Sequence, residues 1–198
     1  MQLFIGTVST WSLRALICAR LADISIQTTF FNLADENDRR RLKQISPTAL
    51  VPFLRDDQLE VHDSLAIAEY LNEKTSGRLY PEDPACRALS RSLCAEIHSG
   101  FINVRREMPF SPSDQCPAHI LSDSTQNEVE RLTQIFSLSQ GEFMWGDRPT
   151  AVDAFYAVMA LRLASYQVYL GGAAGEYQRR LIAWPLFNDA LAFMANQE

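Results

Sequence analysis

Hydrophobic periodicity changes character at residues 75–84, TSGRLYPEDP, and the two halves of the chain cannot share one architecture. Before this stretch, short β-branched and aromatic runs alternate with segments of helical spacing. After it, apolar residues recur at helical spacing only. A glycine, a serine and two prolines within ten residues break any helix and mark a linker.

The first half reads in order. QLFIG, at 2–6, is a short strand, and Leu13, Leu16, Ile17 and Leu21 give a first helix. ISIQTTFFNL, at 24–33, is a second strand, and a charged helix covers 37–44. SPTALVPFLRDDQLEVHDS reads as strand, tight turn at Asp56-Asp57, strand, and SLAIAEYLNEK supplies a helix from Ser64. The order βαβαββα predicts a thioredoxin-like domain over 1–76, a small mixed sheet flanked by helices. A linker over 77–84 leads to an all-α domain over 85–198. There, Leu89, Leu93, Ile97, Phe101, Val104 and Met108 predict one long amphipathic helix that Pro109 ends. FSPSDQCP, at 110–117, is a loop; Val129, Leu132 and Phe136 mark a second helix. TAVDAFYAVMALRLASY is a third, and two short helices flank Trp184-Pro185.

Composition narrows the function. A net charge of -6 over 198 residues argues against a general nucleic-acid binder, whose footprint is basic. The run RRRLK at 39–43 is too short to reverse that and reads as a solvated helix face. No apolar run approaches membrane-span length, and no basic segment precedes an apolar core at the N-terminus, so a cytoplasmic location with no membrane partner is expected. The four cysteines form no C-x-x-C pair, and His62, His98 and His119 are scattered, so no metal site is expected.

Three elements in order carry a resemblance to the cytosolic glutathione transferases. STWSLR, at 9–14, resembles the S-S-C-S-[YW]-R stretch of the zeta class and the S-S-W-S-L-R stretch of related bacterial enzymes. SPTALVPFL followed by DSLAIAEYL is similar to that family's glutathione-site strand and helix, and GDRPTAVDAFYA resembles its G-x-x-x-[ST]-x-x-D motif. AEIHSGFINVRREMP further resembles the long helix of the bacterial serine-type group. The resemblance implies a serine-type glutathione transferase, homodimeric, with glutathione as co-substrate and a small electrophile as second substrate.

The chemistry is coherent with this. A thiol of pKa near ~8.5 is mostly protonated at neutral pH, and only its thiolate is a good nucleophile. Lowering that pKa by about two units takes roughly 2.7 kcal/mol of thiolate stabilisation. A hydroxyl hydrogen bond to an anion gives ~1.5–3 kcal/mol and a helix N-terminus adds roughly 0.3–1. One serine at the start of the first helix nearly suffices. The family match makes Ser9 that residue, with Ser12 as the competing hydroxyl; Thr10 or Ser12 could equally cap the helix. Arg14 would add positive field or brace the loop. Trp11 stands where the zeta class has cysteine, which argues against disulfide-exchange chemistry; it is a core or cleft-wall ring or a ligand contact. Cys18, further along the helix, reads as core.

The resemblance also implies a cis Val51-Pro52 bond, so that Val51 main chain could pair with an extended peptide in the manner of strand addition. Asp63-Ser64 starts a helix whose exposed amides favour a carboxylate, with the Ser64 hydroxyl as an added donor and Asp63 as partner for an ammonium; capping alone would also explain the pair. Where relatives often have Gly-Lys or Gly-Gln, this chain has Ala49-Leu50, and Leu50 can donate no polar contact. Arg39, Arg40, Arg41 or Lys43 could hold the glycyl carboxylate instead, with solvated charges as the plainer account. In the second half, Thr150 and Asp153 have capping-box spacing and a structural role. His98, Phe101 or Ile102, and Arg105 fall on one helical face and could contact an anionic electrophile. Two rival readings remain: a glutathione-dependent cis-trans isomerase of the maleylacetoacetate or maleylpyruvate type, and a non-catalytic transferase-like binding protein.

Overall fold

The computed structural model describes residues 1–111, 116 and 120–197. They form two units: Met1–Tyr80 together with the C-terminal residues from Asn188 onward, and Pro81–Phe187. The sequence expectation kept 85–198 together as one helical domain; the packing groups its last residues with the first unit, where the Phe193 ring lies 5.5 Å from that of Phe30 and the Arg20 guanidinium sits 5.2 Å from the Phe193 ring.

In the first unit, β1 (Gln2–Gly6) pairs in parallel with β2 (Gln27–Phe31) and antiparallel with β3 (Phe53–Asp56), and β4 (Leu59–Val61) pairs antiparallel with β3. The sheet order is β2-β1-β3-β4. Central β1 is covered on both faces, which is why Leu3, Phe4 and Ile5 form a continuous apolar run rather than an alternating one. On one face Phe4 stacks on Phe53 at 4.1 Å and shares a cluster with Phe31 and with Leu42 of α2 (Glu36–Ile45). Strand alternation points Leu3 and Ile5 the other way, the side on which α1 (Thr10–Leu21) and α3 (Ser64–Lys74) pack together. The β3–β4 hairpin turns through Asp57, at φ +53°, and Gln58. The thioredoxin-like βαβαββα order is the one read from the sequence.

In the second unit the helices are α4 (Pro84–Ser99), α5 (Ile102–Glu107), α6 (Asp123–Phe136), α7 (Ala151–Ser165) and α8 (Gly172–Ala183); α9 (Pro185–Ala195) spans the division between the units. The single long helix expected over 89–108 is two. Gly100 is extended and Phe101 takes φ +57°, breaking the helix while the Phe101 ring stays buried, so the apolar spacing runs through the break unchanged. The Arg105 guanidinium donates to the carbonyls of Gly100 (3.1 Å) and Ile97, using acceptors the end of α4 leaves open. The Glu128 carboxylate accepts from the Asn103 and Val104 amides at the start of α5. The loop expected over 110–117 lies largely outside the described residues.

α7 is buried along nearly its whole length, as its apolar sequence requires. The Thr150–Asp153 capping box starts it, and Asp153 also accepts from Met144 N (2.8 Å) and Tyr177 Oη (2.7 Å).

Candidate functional site

Sheet register assembles the site. β1 and β2 end at Gly6 and Phe31, which are paired. β3 runs the other way and begins at the same end, Phe53 facing Phe4, while β4 returns to it, Val61 facing Leu54. The chain therefore leaves β1 into Ser9 and α1, enters β3 through Val51-Pro52, and leaves β4 into Asp63 and α3 at one end of the sheet. Gly6 permits the close approach: a Cβ there would lie 3.0 Å from Leu33 Cδ1 and 3.1 Å from Val51 Cγ2.

The hydroxyls of STWS divide their work. Ser9 is the N-cap of α1, its Oγ accepting from Ser12 N at 3.2 Å. Ser12 is fully buried, and its Oγ accepts from Gly6 N at 3.1 Å, tying helix to strand. Capping thus falls to Ser9 and not to Thr10 or Ser12; Thr10 is the first helical residue, largely buried. The cap uses a Ser9 lone pair and leaves its O–H hydrogen for another acceptor. Arg14 is buried completely, its guanidinium 4.7 Å from the Trp11 ring. The Cys18 thiol is fully buried and pushed up to about 12 by that burial, which leaves it protonated and unreactive.

Val51-Pro52 is a cis peptide. Among the described residues no hydrogen bond engages the Val51 main chain, so one N–H and one C=O stand ready beside the sheet. The Leu50 carbonyl accepts from Ser46 Oγ (3.0 Å), and its side chain is 67% exposed. Asp63 caps α3, its Oδ1 accepting from Leu65 N (2.8 Å) and Ala66 N (3.3 Å). Ser64, the first residue of α3, is fully buried, and its Oγ has no hydrogen-bond partner in the protein. A buried hydroxyl without a partner costs free energy and is available to a bound group. Three α2 cations are engaged locally: Arg39 with Leu33 O (3.2 Å), Arg40 with Asn37 (2.6 Å), Arg41 with Phe30 O (3.0 Å) and Asp38 (3.4 Å).

Ser9, Thr10, Trp11, Ser12, Arg14, Leu50, Val51, Pro52, Asp63 and Ser64 thus belong to one end of one sheet. The remaining candidates belong to the second unit, His98 before the helix break and Phe101, Ile102 and Arg105 at or after it. His98 is in the last turn of α4, Phe101 is buried and Ile102 is exposed. Arg105 is held on main-chain carbonyls, and burial lowers its pKa. Sequence reading passed over Arg162, whose guanidinium is buried and donates to Met108 O at 2.6 Å. Burial, with repulsion from Arg105 added, lowers its pKa to about 10. The signal was a lone arginine inside the apolar run AVMALRLA. Among the described residues no group of three His, Cys, Asp or Glu side chains could hold a metal ion, and no helix is long and apolar enough to cross a membrane.

Two helix N-termini and an unpaired main-chain segment thus meet at one end of a thioredoxin-like sheet. Comparison with known proteins shows what the chain is similar to. Residues 8–74 match the family model of the glutathione S-transferase N-terminal domain. The chain is 27% identical over 172 residues to maleylacetoacetate isomerase of Rattus norvegicus, covering 82% of this chain and 77% of that one. It is 34% identical over 93 residues to a probable maleylacetoacetate isomerase of Caenorhabditis elegans, where the match spans 46% of this chain and only 42% of the relative. Among solved structures, a maleylpyruvate isomerase described as a bacterial zeta-class glutathione S-transferase superposes with TM-score 0.74 at 21% identity, covering 96% of each chain. A glutathione transferase homologue from Burkholderia gl BGR1, with bound glutathione, gives TM-score 0.73 at 22% identity over 100% of this chain and 98% of that one. Residues 8–74 are thus similar to the glutathione S-transferase N-terminal domain, and the chain as a whole shares its fold with solved glutathione transferases.

Proposed function

We propose that this protein is a cytoplasmic, homodimeric glutathione transferase that activates the thiol of glutathione beside Ser9 for attack on a small electrophile. The observation that carries the reading is the convergence of the α1 and α3 N-termini and the Val51 main chain at one sheet end. An extended tripeptide fits those groups in sequence. Its γ-glutamyl carboxylate takes the Ser64 hydroxyl and the α3 amides, its ammonium the Asp63 carboxylate, and its cysteinyl unit the Val51 N–H and C=O. The thiol then falls toward α1, where the Ser9 O–H donates to the thiolate while its lone pair keeps capping the helix. Ser12, fully buried and accepting from the Gly6 amide, holds that helix start in place. Arg14, buried under Trp11, adds positive field.

Isothermal titration with glutathione tests binding, and a thiolate absorbance titration on wild type and Ser9→Ala tests activation. Removing one hydroxyl bond to an anion, ~1.5–3 kcal/mol, lowers kcat/KM roughly 10–150-fold and raises the bound thiol's pKa. A silent Ser9→Ala would remove this mechanism. Absence of binding would leave a transferase-like protein without the activity.

The relatives' names favour a second reading: glutathione adds to a conjugated double bond, the adduct rotates, and the thiolate leaves, so that the reaction is an isomerisation. Product analysis separates the two, because an isomerase returns free glutathione and a transferase consumes it.

A further inference from the structure

Resting on that reading, we propose that Ser46 is a positioning residue: its hydroxyl fixes the Leu50–Val51 peptide plane so that the Val51 N–H meets the cysteinyl carbonyl of the bound tripeptide. The loop over 46–50 leaves one apolar cluster and rejoins it. Ile45, at the end of α2, and Val51 both pack on Phe4, Phe31, Leu42 and Phe53. Pro47 disfavours helical backbone in the residue before it, and Ser46 accordingly leaves α2 extended, at φ −96° and ψ 131°.

Ser46 then holds the loop at three main-chain points. Its N–H donates to Leu42 O (2.8 Å), closing α2, and its carbonyl accepts from Ala49 N (3.2 Å), closing a four-residue turn with Pro47 in second place. Its Oγ donates to Leu50 O at 3.0 Å, and the residue is buried. Ala49, between those contacts, takes φ +56°, a left-handed conformation that a residue with a Cβ seldom adopts. The consequence lies in the next bond. Leu50–Val51 is a trans, planar peptide, so its C=O and N–H point in opposite directions. With the C=O turned to Ser46, the Val51 N–H faces away from it, and among the described residues nothing accepts from that N–H. Leu50 thus serves the site through its carbonyl, and the lack of a polar side chain at that position leaves this service intact.

The test pairs two ligands on the full chain. One is glutathione; the other is γ-glutamylcysteamine, which keeps the γ-glutamyl end, the amide N–H and the thiol but lacks the cysteinyl carbonyl. Isothermal titration measures the first and displacement titration the weaker second. Ser46→Ala is expected to weaken glutathione about 5-fold, the order of the entropy lost when one backbone unit is fixed on binding. Ser46→Thr, which keeps the hydroxyl, restores the affinity. γ-Glutamylcysteamine binds wild type and Ser46→Ala alike, because it offers the Val51 N–H no acceptor. The thiol pKa of bound glutathione also stays where it is in wild type, in contrast to Ser9→Ala. Equal losses for the two ligands would mean that Ser46 only supports the fold, and unchanged glutathione affinity that the plane needs no support. Either result overturns the proposal and leaves the glutathione reading standing. Wild type that binds neither ligand would sink that reading, and this inference with it.

Discussion

Asp63 and Asp153 each sit at a helix N-terminus, and they show how differently the two units use polar groups. Asp153 is fully buried, and four donors converge on it: the Thr150 amide (2.7 Å) and hydroxyl (2.8 Å), the Met144 amide and the Tyr177 hydroxyl. Burial raises its pKa against the pull of all four bonds. Asp63 is exposed, and its Oδ1 accepts from the Leu65 and Ala66 amides. Next to it Ser64 is as buried as Asp153, yet its hydroxyl has no partner in the protein. Around Asp153 polar capacity is spent on starting α7. At Ser64 it is left over, and leftover capacity is what a ligand can use.

The comparison breaks hardest at Asp153. Asp153→Ala strands four buried donors, and about 3–5 kcal/mol of unfolding free energy should be lost in urea titration. A loss below about 1 kcal/mol would mean that the buried network is not what starts α7. Ser12→Ala is the next largest effect. It removes the acceptor of the Gly6 amide, with an expected loss of about 1–2 kcal/mol. If Ser9 is the hydroxyl that meets the thiol, as proposed, activity of the variant should fall less than that of Ser9→Ala. A larger loss of activity in Ser12→Ala would exchange the two roles.

Much of this was legible beforehand, for identifiable reasons. The βαβαββα order follows from short β-rich runs alternating with helical spacing, and the cis bond at Val51-Pro52 was implied by family resemblance. The helix break at Gly100 and Phe101 was not legible. Ile97, Phe101, Val104 and Met108 keep helical spacing because Phe101, although left-handed, still turns its ring into the core. A serine–glycine pair after the last helical turn was the available stop signal, and the apolar pattern outweighed it. The roles of the hydroxyls in STWS depend on a contact six residues back, Ser12 to Gly6, which no local pattern encodes. Arg105 looked like a cleft cation because its spacing matched; its actual acceptors are carbonyls that exist only because the helix breaks.

The smallest effect on stability is expected at Ser64, and it is the sharpest test of the contrast. Ser12 and Ser64 are both serines with fully buried side chains at helix starts. One has its oxygen bonded and the other does not. Replacing an unpartnered buried hydroxyl by a methyl group removes a desolvated polar atom and leaves no orphan behind, so Ser64→Ala should change unfolding free energy by less than about 0.5 kcal/mol or increase it. The same change should weaken glutathione binding roughly 10–150-fold, the order of one hydrogen bond to a charged group. Urea titration and calorimetric binding on the one variant give both numbers. A site held for function shows that opposite pair: stability kept or gained, affinity lost. Should Ser64→Ala destabilise the fold as Ser12→Ala does, the hydroxyl has a structural partner and belongs with the spent groups. Should it change neither quantity, the α3 N-terminus holds no carboxylate, and the tripeptide must be anchored by Val51 and α1 alone.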